Sequence, residues 1–236
     1  MSQSHQTMNY SSKMFSELRE QNLKVWTHYT QHDFVRGLGD GSLPEKVFLQ
    51  YLIQDYIFLV HYSRAWSMVV VKAESVSHMR TAAATVHALI NEETQLHVEV
   101  CKQRGISEQE LEAAVEAHEN LAYTRYVMDT ALSGDILDLL AALAPCVFGY
   151  GEIGLNLKES NDTLPQYREW IDMYCGDEYQ SVCDAVGELI DEVAAQRLGS
   201  DPANHPRWLA LSERFAMATQ LEVNFWSMGF RLGQAA

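Results

Sequence analysis

Basic charge is scarce in this 236-residue chain. Lys and Arg number 17 against 32 Asp and Glu, a formal net charge of −15. A surface of that sign repels phosphate backbones and anionic lipid, so nucleic acid and acidic membranes are not expected as partners. Five prolines and 13 glycines are too few for a turn-rich β-sandwich and point to long helices. Four cysteines, Cys101, Cys146, Cys175 and Cys183, form no CxxC pair, which removes the zinc-ribbon and thioredoxin-type readings. No histidine has Asp or Glu three residues before it, so the Glu-x-x-His signature of di-iron bundles is missing and no metal site is expected. Nucleotide-binding glycine motifs and the GxSxG elbow are also missing. The polar start MSQSHQTMNYSSK lacks the apolar region of a secretory signal. With no run of about 18 consecutive apolar residues, no membrane span is expected, and the reading is a cytoplasmic protein with free thiols.

What is present is helical periodicity, in a chain that is 47% hydrophobic. Apolar residues recur at helical steps from about Ser12 to Leu232. Helices are expected at about 13–29, from Pro44 to about 72, at 76–104, 107–132, 135–159, 164–175, 178–198 and 206–232. A short turn of helix and a loop fill 32–41. Ser42–Glu45 and Ser107–Glu110 both fit capping boxes. Gly105 and Gly134 read as stops, and 160–163 and 199–206 as polar turns. Neither a repeat nor a long linker interrupts the pattern. The fold class is all-α, a bundle of seven to nine helices, with residues 1–11 flexible and 12–233 a single domain.

Three helices carry a reactive residue in their apolar seam. Phe48, Leu52, Asp55, Leu59, Tyr62 and Trp66 follow steps of four and three, with Asp55 the only acid in the stripe. Leu139, Leu143, Cys146, Tyr150, Ile153 and Leu157 repeat the steps, and Tyr150 lies one turn beyond Cys146. Pro145 should kink or restart that helix, while Gly149, Gly151 and Gly154 would open space beside the thiol. In the last helix Glu222 stands where an apolar residue belongs, between Ala218 and Phe225. A buried carboxylate needs a partner, a ligand or a proton. Taken alone, each acid is as readily a hydrogen-bonded core residue, and a free cysteine packs as a small hydrophobe. Together, a thiol and two acids in one core make a workable active site. Aromatic residues in the same helices, including Phe58, Tyr123, Tyr126, Trp170, Tyr174, Tyr179 and Trp226, offer either core packing or a slot for a flat ring. Haem is a competing possibility, with His28, His61 or His97 as axial ligand. The pairs Glu74–His78 and Glu93–His97, at i, i+4, read as exposed helix contacts.

With these residues in hand, the chain resembles the TenA (thiaminase II) family. The resemblance runs from about Phe15 to Gly229. It rests on Tyr51-Leu-Ile-Gln-Asp-Tyr56, Pro145-Cys-Val-Phe-Gly-Tyr150 followed by Glu152-Ile-Gly154, Trp170-Ile-Asp-Met-Tyr174, and Glu222-Val-Asn-Phe-Trp-Ser-Met-Gly229. The resemblance implies the haem-oxygenase-like helical fold and a homotetramer, with exposed aromatics as interface. It also implies hydrolysis of an aminopyrimidine, 4-amino-5-aminomethyl-2-methylpyrimidine, to hydroxymethylpyrimidine and ammonia in thiamin salvage, and cleavage of thiamin itself, with no cofactor. Cys146 places the chain with the cysteine-bearing branch. By the same resemblance Cys146 is the nucleophile, Glu222 the acid/base and Asp55 the pyrimidine anchor. Tyr150, Tyr174 and Tyr123 line the pocket, and Phe58 stands where some members carry tyrosine. The segment 199–207 looks longer than in compact members.

The chemistry suits these residue types. A buried carboxyl such as Glu222 can protonate a ring nitrogen, after which a Cys146 thiolate can add to the ring. The thiolate needs support, either a hydrogen bond from Tyr150 or proton transfer to a seam carboxylate. Two other readings remain: a haem- or metal-dependent oxygenase on the same fold, and a non-catalytic pyrimidine-binding regulator.

Overall fold

The computed structural model describes residues 8, 10–160 and 164–235. The helices are α1 (Lys13–Gln21), α2 (Leu23–Thr30), α3 (Asp33–Asp40), α4 (Glu45–Lys72), α5 (Val76–Ala88), α6 (Thr94–Lys102), α7 (Glu108–Glu112), α8 (His118–Ser133), α9 (Ile136–Leu157), α10 (Pro165–Cys175), α11 (Asp177–Leu198) and α12 (Trp208–Ala235). A single π-turn, Leu89–Glu93, joins α5 to α6, and no strand is present among the described residues. The all-α class is as expected. The segments outnumber the helices expected because Asn22 divides α1 from α2, 33–40 is helical, the π-turn interrupts 76–104, and residues 113–117 separate α7 from α8 within 107–132.

The long helices α4, α9 and α12 form the centre, and α9 is the most enclosed. It packs against α12, α10, α11, α8, α2, α4 and α3. By length and apolarity α9 would suffice to cross a membrane, but 94% of its most apolar window is buried inside the protein. Its start is fixed by a capping box: the Asp135 carboxylate accepts from the amides of Leu137 and Asp138, and Asp138 reaches back to the Asp135 amide. Arg207, from the 199–207 connection, binds Asp135 at 2.8 Å, so this segment packs at the N-terminus of α9, about three turns from Cys146. Buried residues of every helix join one hydrophobic cluster. Its largest members, among them Trp26, Trp66 and Trp170, each contribute about 1.5–3 kcal/mol or more by leaving water.

Several local expectations are corrected. The Ser107–Glu110 capping box forms, but Ser42 does not cap α4. Pro44, extended at ψ 134°, is the N-cap residue, and the amide of Ser42 turns back to Asp40 at 2.9 Å. Pro145 does not restart α9, which is helical throughout. The glycines do not open space beside Cys146. They admit neighbours instead, because a Cβ on Gly149 would sit 2.1 Å from the Tyr29 ring and one on Gly154 2.5 Å from the Tyr174 backbone. Of the start expected to be flexible, residues 1–7 and 9 lie outside the described residues. Tyr10, however, is buried against Phe15 and Phe148. The expected turn at 160–163 falls outside the described residues from 161 on.

Candidate active site

Cys146 lies mid-way along α9 and is 5% exposed. Its thiol lies near the Tyr62 hydroxyl of α4 and the Glu222 carboxyl of α12, close enough for both to act on its titration. Tyr62 in turn donates to the Leu143 carbonyl at 2.7 Å, in the stretch of α9 where Pro145 removes an amide from the helix ladder. Glu222 accepts from Tyr123 of α8 at 2.8 Å. Burial raises the Glu222 carboxyl to about 8, with the negative charge of Asp55 adding to the rise. Burial also pushes the Cys146 thiol well above its usual value, helped by Glu222, Glu93 and Asp55. The Tyr150 hydroxyl is turned to the Tyr51 oxygen, 3.3 Å away; the single Tyr51 proton goes to Asp55, so Tyr150 is the donor of that pair.

A second network holds Asp55. Its Oδ2 receives the Tyr51 hydroxyl at 2.7 Å and faces His97 Nε2, also at 2.7 Å. His97 Nδ1 lies 2.7 Å from the Glu93 carbonyl, which can only accept, so Nδ1 carries a proton. Nε2 then needs a second proton to meet the carboxylate. The pair is therefore imidazolium and carboxylate: burial lowers the His97 pKa, but the Asp55 bond and charge outweigh it and the net shift is upward. Trp170 Nε1 donates to the Tyr51 oxygen at 3.2 Å. Tyr150 is enclosed by the rings of Trp170, Tyr174 and Trp226, at centroid distances of 5.7, 4.9 and 5.4 Å. Phe58 packs between Tyr62 and Tyr123, at 5.1 and 4.9 Å, and so buttresses two tyrosines that serve the thiol and Glu222.

A cavity of about 260 Å³ opens between the π-turn with the end of α5 and the α10–α11 junction. Cys146, Val147, Tyr62, Tyr179 and Glu93 are among its lining residues. Asp55, Glu222, Tyr123, Tyr150 and Tyr174 are buried nearby and are not among its lining residues. The Glu93 carboxyl accepts from Tyr174 at 2.6 Å, and burial raises it to about 7 against the lowering effect of that bond.

The structure thus brings the three seam residues Cys146, Glu222 and Asp55 into one region. It also corrects the reading of Glu93 and His97. Neither is an exposed helix contact: Glu93 is 7% and His97 0% exposed. The π-turn causes the difference, because it adds a residue and swings Glu93 inward while His97 points at Asp55. Insertions of this kind cluster at functional sites. Glu74 and His78 do not pair either, since His78 faces Glu192 at 2.8 Å. Tyr29 also escaped notice in the sequence. Its hydroxyl is buried with no hydrogen-bond partner among the described residues, and its charge environment includes Glu222 and Cys146. As haem ligands the three histidines have little to offer: both nitrogens of His97 are engaged, and His61 lies beside Arg64 and Glu116. His28 is at the surface. Among the described residues no group of three or more His, Cys, Asp or Glu is disposed to hold a metal ion.

Comparison with known proteins agrees with this architecture. An aminopyrimidine aminohydrolase of Halalkalibacterium halodurans is 36% identical over 217 residues, covering 91% of this chain and 94% of that protein. An uncharacterized protein of Haemophilus influenzae is 37% identical over 221 residues, covering 93% of this chain and all of that one. A crystal structure of a TenA family transcription regulator from a Silicibacter species superposes with a TM-score of 0.90 at 52% identity, covering 92% of this chain and 96% of that one. The profile of the TENA/THI-4/PQQC family matches residues 19–232, and the chain belongs to that family.

Proposed function

We propose that this chain is a hydrolase of thiamin salvage. It converts 4-amino-5-aminomethyl-2-methylpyrimidine to hydroxymethylpyrimidine and ammonia, and cleaves thiamin to the same alcohol and thiazole, with Cys146 as nucleophile. The observation that carries this reading is a thiol at the wall of a cavity suited to a small ring, with a buried carboxyl raised to about 8 nearby. The aminopyrimidine aminohydrolase activity of the Halalkalibacterium relative supports the choice of substrate.

The residues suit the steps. Glu222, protonated at neutral pH, gives its proton to a ring nitrogen and takes the thiol proton of Cys146, which solves the problem of a thiolate that burial otherwise disfavours. The sulfur adds to the adjacent ring carbon, and the ring loses aromaticity. The electron pair gained by the ring expels the substituent on the exocyclic methylene. Water adds to the methylene, the sulfur departs with its pair, and the aromatic alcohol remains. Asp55 holds the amino edge of the ring: His97 and Tyr51 both occupy Oδ2, which leaves Oδ1 to accept from the 4-amino group. Tyr123 keeps Glu222 in place. Tyr150 and Tyr174 offer ring faces, and Phe58 supplies packing without a hydroxyl.

Residues 12–233 act as one domain in this reading, and the working form is a cytoplasmic homotetramer. Its interface would not be aromatic, because the exposed large hydrophobic residues among those described are aliphatic or Met, including Val71, Val115, Leu132 and Leu209. The test is steady-state release of hydroxymethylpyrimidine from each substrate by wild type and Cys146→Ala. Turnover by wild type and none by the variant is expected. Binding of the pyrimidine without turnover by wild type would instead identify a regulator.

A further inference from the structure

The cavity that reaches Cys146 is lined by five carboxylates, Glu92, Glu93, Asp172, Asp177 and Glu178, and among the described residues by no Lys, Arg or His. Four of them are exposed at the mouth, while Glu93 is buried at depth on the same wall system as the thiol. Arg168, outside the lining, pairs with Asp172 at 2.9 Å, which leaves the entrance a net negative charge. Such an entrance, with low-dielectric walls behind it, concentrates ligands of the opposite sign. The substrate that this entrance favours is a cation. Both substrates proposed above meet that condition, but they differ at the leaving atom. A primary alkylamine is an ammonium ion at neutral pH, with three N–H donors. The thiazolium nitrogen of thiamin carries a fixed charge and no N–H.

We propose that Glu93 binds the departing amine as an ammonium ion and so makes the site selective for amine over thiazole leaving groups. This inference rests on the pyrimidine-hydrolase reading and assigns a role to a residue that reading does not use. Tyr174 fixes one carboxylate oxygen of Glu93 at 2.6 Å. The carboxylate accepts a hydrogen bond from the ammonium N–H and keeps the nitrogen protonated until the C–N bond breaks. The bonding pair then passes to nitrogen, and ammonia departs with its three hydrogens. No net proton transfer to Glu93 is required. Thiazolium leaves as neutral thiazole, so the same carboxylate contributes only long-range attraction. Burial, with the charges of Asp55 and Glu92, pushes the Glu93 carboxyl to about 7 against the lowering effect of Tyr174 and His97, a poise from which an adjacent cation shifts it to the ionised form.

The decisive variant is Glu93→Gln, which keeps an acceptor for Tyr174 and removes the charge. Its kcat/KM for the aminomethylpyrimidine should fall by about 100-fold, the scale of one charge-assisted contact made by the reacting group, while thiamin cleavage falls no more than about threefold. Equal losses on both substrates, or no loss on the amine, would overturn the assignment. Wild type inert on both substrates would instead bring down the hydrolase reading itself, so the two failures are distinguishable. A second measurement does not depend on the variant folding. In the inert Cys146→Ala protein, which retains Glu93, the aminomethylpyrimidine should bind at least about tenfold more tightly than the hydroxymethyl alcohol. Equal affinities would overturn the inference.

Discussion

His97 Nε2 lies 2.7 Å from Asp55 Oδ2, and both side chains are buried, at 0% and 3% exposure. The carboxylate proposed to grip the pyrimidine is thereby held by a cation on another helix. Removing one partner of such a pair strands the other, at a cost on the order of 3–5 kcal/mol. His97→Leu should lower the melting temperature by about 10 °C, given 2–4 °C per kcal/mol for a chain of this size. The double variant His97→Leu/Asp55→Asn should recover much of that loss. A single variant that melts with wild type would show that the pair is not ionic.

For Cys146, substitution by alanine removes one sulfur from a packed site and should cost about 1–2 kcal/mol of stability. Hydrolysis should fall a thousandfold or more, on the order seen when a nucleophile is deleted. Cys146→Ser keeps the size and a hydroxyl but loses the soft nucleophile, and is expected to be nearly as inactive. Circular dichroism on both variants separates loss of chemistry from loss of fold.

Glu222 and Glu93 have carboxyls raised to about 8 and about 7, against a usual 4.5. The folded chain therefore holds more protons than the unfolded chain between roughly pH 4.5 and 8. The stability these two groups lend is complete below pH 4.5 and is lost as pH rises through 7 and 8. Glu222→Gln, neutral at every pH, should flatten the alkaline decline and melt above wild type at pH 9. The gain is at most on the order of 3–5 kcal/mol for this shift. The wild-type kcat/KM should fall above pH 8, as the proton that Glu222 donates to the ring is lost. Thermal melts and pH–rate profiles of the two proteins check both statements.

Gly149 offers a purely steric test. A Cβ there meets Tyr29 at 2.1 Å, so Gly149→Ala should destabilise by about 1–3 kcal/mol through overpacking. Pairing it with Tyr29→Leu should relieve part of that cost, because the clash is with the ring. Additive losses in a double-mutant cycle would refute the contact.

The parts legible in the sequence were those governed by regular periodicity. Asp55, Cys146 and Glu222 stood out because α4, α9 and α12 keep unbroken steps of three and four through them. Glu93 and His97 look like surface residues in the sequence because the π-turn shifts the phase where it matters, and an i, i+4 acid–histidine pair looks alike on either face. The glycines of α9 were read as space because sequence shows a missing side chain but not what moves in: Tyr29, Tyr10 and the α10 backbone. Ser42 lost its cap because Pro44 and the Asp40 turn compete for the same few residues. Tyr29 stayed hidden because its role depends on a neighbour more than a hundred positions away.

The enclosure of α9 sets a timescale for the thiol. A helix gripped by seven others has no route to solvent through fraying or local opening, so its amides exchange with deuterium only when the whole domain unfolds. The thiol at its centre would then meet alkylating reagents either through the cavity or through global unfolding. Saturating the cavity with a small ring should slow labelling of Cys146 toward the exchange rate of the α9 amides, making the nucleophile a built-in clock for the stability of the fold.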